Sequence, residues 1–319
     1  MRNDGAHLYP AMPYPYYTKM TRDDALAIRA YLSTVDPVKN HVVADQLPFP
    51  FSVRGDMAAW NKLYFTSGEF KPAADKSAEW NRGAYLVEGL MHCGACHTPK
   101  NVAGGDKTDE ALQGGPVQGW FAPDITNAAR RGLGSWPIEE IVAYLKTGHN
   151  HTTAATGPMG QEVADSSSKM TDADLRAVAV YLKDRPGVED KAPKPLAATD
   201  PAMKGGAAIY ADECSACHTP KGAGVPGMFP ALAGSPAVQS EDPTSLMRVV
   251  LAGTRSVATD AAPTAPAMPA FGRALDDREA AAVLTYIRNS WGNAAPAVTA
   301  GQVADQHRAL AKREVKRGE

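Results

Sequence analysis

Several features that would place this chain quickly are scarce or missing. Only four cysteines occur in 319 residues, all inside two short motifs, so none is left for a disulfide and the count says little about redox compartment. Excess charge is missing. With 33 basic and 35 acidic residues the net charge is −2, and there is no electrostatic case for a nucleic-acid partner. No apolar run approaches the ~18–20 residues of a membrane-spanning helix. The opening residues, Met1-Arg2-Asn3-Asp4-Gly5, lack the basic-then-apolar pattern of an export leader. No alternating strand pattern of useful length appears, so the expected fold class is all-α with long irregular loops. A chain this long exceeds what one hydrophobic core usually serves, which predicts two or more domains.

What is present is a repeated motif. Met91-His92-Cys93-Gly94-Ala95-Cys96-His97-Thr98-Pro99-Lys100 returns as Glu213-Cys214-Ser215-Ala216-Cys217-His218-Thr219-Pro220-Lys221. Both contain Cys-x-x-Cys-His, the attachment pattern of c-type haem. Thiols three positions apart on a helical turn can each add across one vinyl group of a single porphyrin. The histidine that follows, His97 or His218, then serves as the proximal iron ligand. Cys93, Cys96, Cys214 and Cys217 are therefore candidates for covalent attachment of two haem c groups. Zinc is the bland alternative, but zinc knuckles separate their Cys pairs by about 15–20 residues, and here more than a hundred intervene. A thioredoxin-like redox pair would need a βαβ context, which the sequence does not offer.

The helix signals form a repeat around these motifs. Each full copy runs helix, attachment motif, loop, helix, methionine loop, helix. The closing helix occurs three times on one template, with a cap at Thr21, Thr171 or Asp276 ten residues before Tyr31, Tyr181 or Tyr286. The expected boundaries are a partial first copy at 1–34, a connector at 35–76, a full copy at 77–185, a Pro- and Lys-rich linker at 186–199, a full copy at 200–292 and a charged tail at 293–319. The partial copy begins at its methionine loop, without the attachment half. Within the connector, Pro48-Phe49-Pro50-Phe51 reads as extended, and a short helix is expected between Arg54 and Phe65. The helix before the first motif is expected to run over 77–92, with Ala84, Val87, Leu90 and Met91 as its stripe.

A haem with a proximal histidine needs a sixth ligand or an open face. Met159 and Met268 stand in the loops before the closing helices. A soft, neutral thioether favours ferrous iron and raises the reduction potential. Pro269 stiffens the second of these loops. Met170 lies in the same loop as Met159, and His149 and His151 precede it, so bis-histidine ligation is the alternative there. Gap-filling core methionines are the bland reading. The second nitrogen of a proximal histidine normally donates to a carbonyl, and Pro123 and Pro230 are the candidates. Trp120 and Trp136 are candidate walls of the first haem pocket, and His92 reads as a helix-end residue.

At this point the sequence resembles a family. Leu8-Tyr9-Pro10-Ala11-Met12-Pro13-Tyr14, residues 80–89, Cys93 to Asn101, Ala122-Pro123-Asp124-Ile125-Thr126, Gly157-Pro158-Met159 and Met170 to Leu182 are similar to the three-haem cytochrome c subunit of bacterial membrane-bound dehydrogenases that oxidise alcohols, gluconate, sugars or aldehydes. The resemblance implies class I cytochrome c modules in series. It implies electrons taken from a catalytic dehydrogenase subunit, often carrying flavin or a quinone cofactor, and passed to ubiquinone or another respiratory acceptor. Met12 is implied as sixth ligand of a first haem. Because c-type haem is attached outside the cytoplasmic membrane, a periplasmic, membrane-associated location is implied. The sequence departs from the family in lacking the first attachment motif and an export signal, which reads as a fragment or a mis-started frame, with a natural two-haem variant as the alternative. The tail from Gln302 to Glu319 carries an apolar stripe of Val303, Leu310 and Val315; a solvated, partly disordered tail is expected, with docking to a membrane surface or partner as the alternative.

The leading expectation is an electron-transfer subunit with no substrate chemistry of its own. The rival enzyme is a dihaem periplasmic peroxidase, which would need one iron with an open distal side and a nearby acid–base pair. A zinc-binding structural module is the third reading.

Overall fold

The computed structural model describes residues 4–41, 47, 49, 52–188 and 191–318, with side chains as far as residue 312. Pro48, Pro50 and Phe51 of the expected extended segment, residues 189 and 190 of the expected linker and the Val315 side chain lie outside the described residues. In chain order the elements are α1 Tyr14–Tyr17, α2 Arg22–Leu32, α3 Asp56–Tyr64, α4 Ala78–Tyr85, α5 Gly94–His97, β1 Gly115–Val117, β2 Trp120–Ala122, α6 Ile138–Thr147, α7 Gly157–Asp165, α8 Asp172–Lys183, α9 Pro201–Ile209, α10 Ser215–His218, α11 Pro236–Gln239, α12 Thr244–Ala252, β3 Thr254–Arg255, β4 Ala267–Met268, α13 Asp277–Arg288 and α14 Ala300–Gly318. The molecule is mostly helical, and no helix among the described residues is long and apolar enough to cross a membrane.

The three closing helices start as their sequences dictate. Side-chain oxygens of Thr21, Thr171 and Asp276 accept the backbone N–H of Asp24, Asp174 and Glu279, satisfying donors that a helix start leaves orphaned. Two of these helices are then crossed by the helix that leads to an attachment motif. α4 lies on α8, and a Cβ at Gly83 would come within 2.0 Å of the Ala177 carbonyl oxygen. α9 lies on α13, where a Cβ at Gly206 would come within 2.2 Å of the Ala282 oxygen. Glycine permits backbone-to-backbone contact at both crossings, and Tyr181 and Tyr286 pack beside it. The equivalent face of α2 is open: none of its residues is buried, and Leu26, Ile28, Tyr31 and Leu32 are exposed.

Two apolar cores result. One gathers Leu86, Val87, Leu112, Trp136, Ile141, Leu145, Leu175 and Val178, among others. The other gathers Tyr210, Met247, Val250, Leu251, Val283, Leu284, Ile287 and Val303. The units around them meet along a polar seam. Arg130 donates to the carbonyls of Gln239 and Ala294 at 3.2 and 2.7 Å, Arg131 pairs with Glu241 at 2.9 Å, and Ala231 N–H reaches the His151 carbonyl at 3.3 Å.

The structure departs from the sequence expectation in five respects. The helix over 77–92 is α-helical only to Tyr85, and Leu86–Leu90 is a π-helical turn closed by Met91 N–H on the Leu86 carbonyl at 2.8 Å. A second π-helical turn, Tyr210–Cys214, precedes the second motif. Short antiparallel ladders join β1 to β2 and β3 to β4. The first is a hairpin whose two-residue turn, Gln118-Gly119, has both φ values positive at 48° and 72°, the backbone twist that matches paired strands. Met159 lies in the first turn of α7 rather than in a loop, because Pro158 is pre-set for a helix start. Finally, α14 is a helix with Val303 fully buried and Leu310 packed on the second core, so the tail expected to be solvated is docked as far as Leu310.

Candidate haem sites

Each attachment motif is carried into place by a helix and its π-helical turn, then continues as a single helical turn, α5 or α10, that ends in histidine. None of the four cysteines is paired in a disulfide. Burial pushes Cys93 up to about 12 and Cys214 up to about 11, and raises Cys96 as well, so these side chains stay protonated at neutral pH. Cys217 is exposed.

The two histidines share one environment. His97 Nδ1 lies 2.7 Å from the Pro123 carbonyl oxygen, and His218 Nδ1 lies 3.1 Å from that of Pro230. A carbonyl can only accept, so Nδ1 carries the hydrogen and Nε2 keeps its lone pair. Burial also lowers both histidines' pKa and favours the neutral ring, the form that binds iron. A glycine makes each contact possible, and sequence reasoning missed both. Gly114, at φ +92°, donates its N–H to the His97 carbonyl at 2.7 Å; a Cβ there would come within 3.1 Å of the Pro123 carbonyl carbon. Gly224, at φ +64°, donates to the His218 carbonyl at 3.1 Å, and a Cβ there would come within 2.7 Å of Pro230. The sequence signal is a glycine in each Gly-rich loop after Thr-Pro-Lys, too common in loops to single out.

Met159 and Met170 both pack against the first core, and Met268 packs against the second. Met268 sits on β4, where Thr254 of β3 is its partner, so pairing fixes its backbone before Pro269. Met12 is exposed. His149 lines a small cleft together with Met228, Phe229 and Pro230, and the His151 carbonyl accepts from Ala231, so this loop is turned to the seam beside the second proximal loop. His92 follows Met91, the cap of the first π-helical turn, at φ +41°, with its ring edge-on to Tyr17 at 5.4 Å. Among the described residues no three His, Cys, Asp or Glu side chains converge to hold a bare metal ion, so the two motifs do not meet in a zinc site.

The side chains fit a haem bonded through thioethers. Each site offers two thiols, an imidazole with Nε2 free and a methionine in the adjoining core. The first offers more: Trp136 is 9% exposed and its indole N–H is buried with no hydrogen-bond partner among the described residues, a donor that a propionate carboxylate would satisfy. The sequence pattern of the family described as Cytochrome c matches residues 81–185 and again 203–291. The chain belongs to the cytochrome c family.

Relatives of this cytochrome c are, by name, cytochrome subunits of dehydrogenases. The cytochrome c subunit of the alcohol dehydrogenase (quinone) of Gluconacetobacter polyoxogenes is 40% identical over 95% of this chain and 69% of its own length. The cytochrome c subunit of gluconate 2-dehydrogenase from Pantoea cypripedii is 38% identical over 94% of this chain and 73% of its own. The fructose dehydrogenase cytochrome subunit of Gluconobacter japonicus is 34% identical over 95% of this chain and 68% of its own. Cytochrome c domains with covalent haem c are thus part of this chain.

Proposed function

We propose that this cytochrome c is a two-haem electron-transfer subunit that accepts electrons from a catalytic dehydrogenase and delivers them to ubiquinone or another respiratory acceptor, at the periplasmic face of the cytoplasmic membrane. The observation that carries the reading is the repeated proximal arrangement: His97 on Pro123 and His218 on Pro230. Haem c, when bound, supplies an iron that holds or releases one electron. Cys93 and Cys96, and Cys214 and Cys217, anchor it by thioethers. His97 and His218 present Nε2, oriented by their Nδ1–H bonds. Met159 and Met268 offer the opposing sulfur, which favours the ferrous state. The apolar cores around both sites keep water out and hold the ligands still.

The modules proposed are 77–185 and 200–292, joined by the linker 186–199, with residues 293–310 docked on the second. Residues 1–34 are proposed as the closing half of a further module, tied on by 35–76, because α2 repeats the template of α8 and α13 and leaves the matching face bare. A dihaem peroxidase has no support from the relatives' names. The deciding experiment expresses the chain with an export leader in a haem-attaching host. Intact mass should exceed that of the polypeptide by two haems, and the ferrous spectrum should be low-spin at both. A bare polypeptide mass, or a high-spin ferric centre that reacts with peroxide, refutes the proposal.

A further inference from the structure

We propose that Arg248, a residue of the second unit, is a positioning residue for the first iron site, acting through Trp120 on the segment that carries Met159. The inference rests on the reading of His97 and Met159 as that site's ligands.

Trp120 opens β2, and the same strand ends at Ala122, directly before the Pro123 carbonyl that orients His97. Its indole also supports the methionine side. Gly157 has φ +56°, and a Cβ there would fall within 2.5 Å of the Trp120 ring, so the backbone two residues before Met159 rests on the indole. One side chain therefore touches the Met159 segment and is covalently tied to the His97 acceptor.

That side chain is held from the second unit. The Arg248 guanidinium carbon stands 4.7 Å from the Trp120 ring centroid, inside the range of a cation over an aromatic face. Ser245, nearly one turn earlier on α12, accepts the Phe121 N–H at 2.8 Å and donates to the Phe121 carbonyl at 2.9 Å. α12 thus grips two consecutive residues of β2, one by backbone and one by ring. Its opposite face is fixed, since Met247, Val250 and Leu251 are buried in the second core. Arg248 does two things at once. It presses the indole against Gly157, limiting how far Met159 can swing from the iron, and it places a fixed positive charge by the first site, which favours the reduced state.

The test uses the haem-loaded full chain. Potentials of both centres are titrated spectroelectrochemically, and imidazole binding to each ferric iron is measured; the second centre is the one whose potential moves in M268A. R248Q should lower the potential of the first centre and tighten imidazole binding there by about two- to fivefold, the ratio that a partly exposed cation–ring contact supports. The second centre should not change. R248K should recover the potential. An unaltered first centre in R248Q overturns the proposal. So does an R248Q effect that is undiminished in a W120L background, with W120F replacing W120L where the leucine variant does not fold. M159A keeps the two readings apart: if it leaves the first centre's spectrum intact, the ligand assignment is wrong whatever Arg248 does.

Discussion

One hydrogen bond at each histidine decides what the rest of the ring can do. Because Nδ1–H of His97 and His218 is committed to a proline carbonyl, Nε2 is the only nitrogen left to a metal, and the ring cannot turn to offer the other. In the proposed function the opposing ligand is a single methionine sulfur. Replacing Met268 with alanine should lower the potential of the second centre and open its iron to added imidazole, as followed by redox titration and optical spectra; an unchanged potential would mean that another residue ligates there. At this scale the sequence was informative wherever chemistry is local. Cys-x-x-Cys-His is complete within five residues, and Pro123 and Pro230 could be named from their place after the motifs. Gly114 and Gly224 could not, because a glycine's role depends on which backbone presses against it.

At the scale of helices, the α4–α8 and α9–α13 crossings are set by Gly83 and Gly206. An alanine at either position forces the pair apart. Gly83→Ala or Gly206→Ala should cost about 1–3 kcal/mol or more, as overpacking does, read as a lower denaturant midpoint. Arg82 clamps the first crossing from outside, with Nε and Nη2 at 2.7 and 3.0 Å from the two Asp174 oxygens. That bond holds the Asp174 carboxyl below the usual carboxylate range. The folded state therefore binds its proton less readily than the unfolded chain. The stability it contributes is present above the ordinary carboxylate value and is lost as pH falls through the lowered one. Asp174→Asn should destabilise near neutral pH, and the gap from wild type should close as pH falls from about 5 to about 3, measured by urea unfolding at each pH. Caps and stripes made these helices legible in advance. The Gln118-Gly119 hairpin was hidden inside a Gly- and Pro-rich stretch, where pairing depends on two positive φ values. α14 was hidden because a few apolar residues among many charges gain meaning only when a core is there to receive Val303.

For the molecule as a whole, the polar seam joins the units. Arg130 is its firmest link, donating from one unit to two carbonyls of the other. Arg130→Ala should weaken the junction by about 1.5–3 kcal/mol, the worth of a hydrogen bond to a charged group. Cleavage within 186–199 by a protease should accelerate, while both haem spectra stay as they were; equal cleavage rates would show that the seam is held elsewhere. None of this seam was foreseeable, since its contacts join residues far apart in the sequence, the nearest pair being Ala231 and His151.

The five-residue turns at Leu86–Leu90 and Tyr210–Cys214 carry a further consequence. Each adds one residue to a ladder that otherwise repeats by four, which advances everything downstream by about 100° around the helix axis. Upstream of it, the glycine contact fixes the rotational phase of the helix. Downstream, the thiols must face inward. The two demands are out of register by one residue, and the widened turn absorbs the mismatch in both halves of the protein, so a deletion there would swing the cysteines off the pocket while leaving the helix crossing intact.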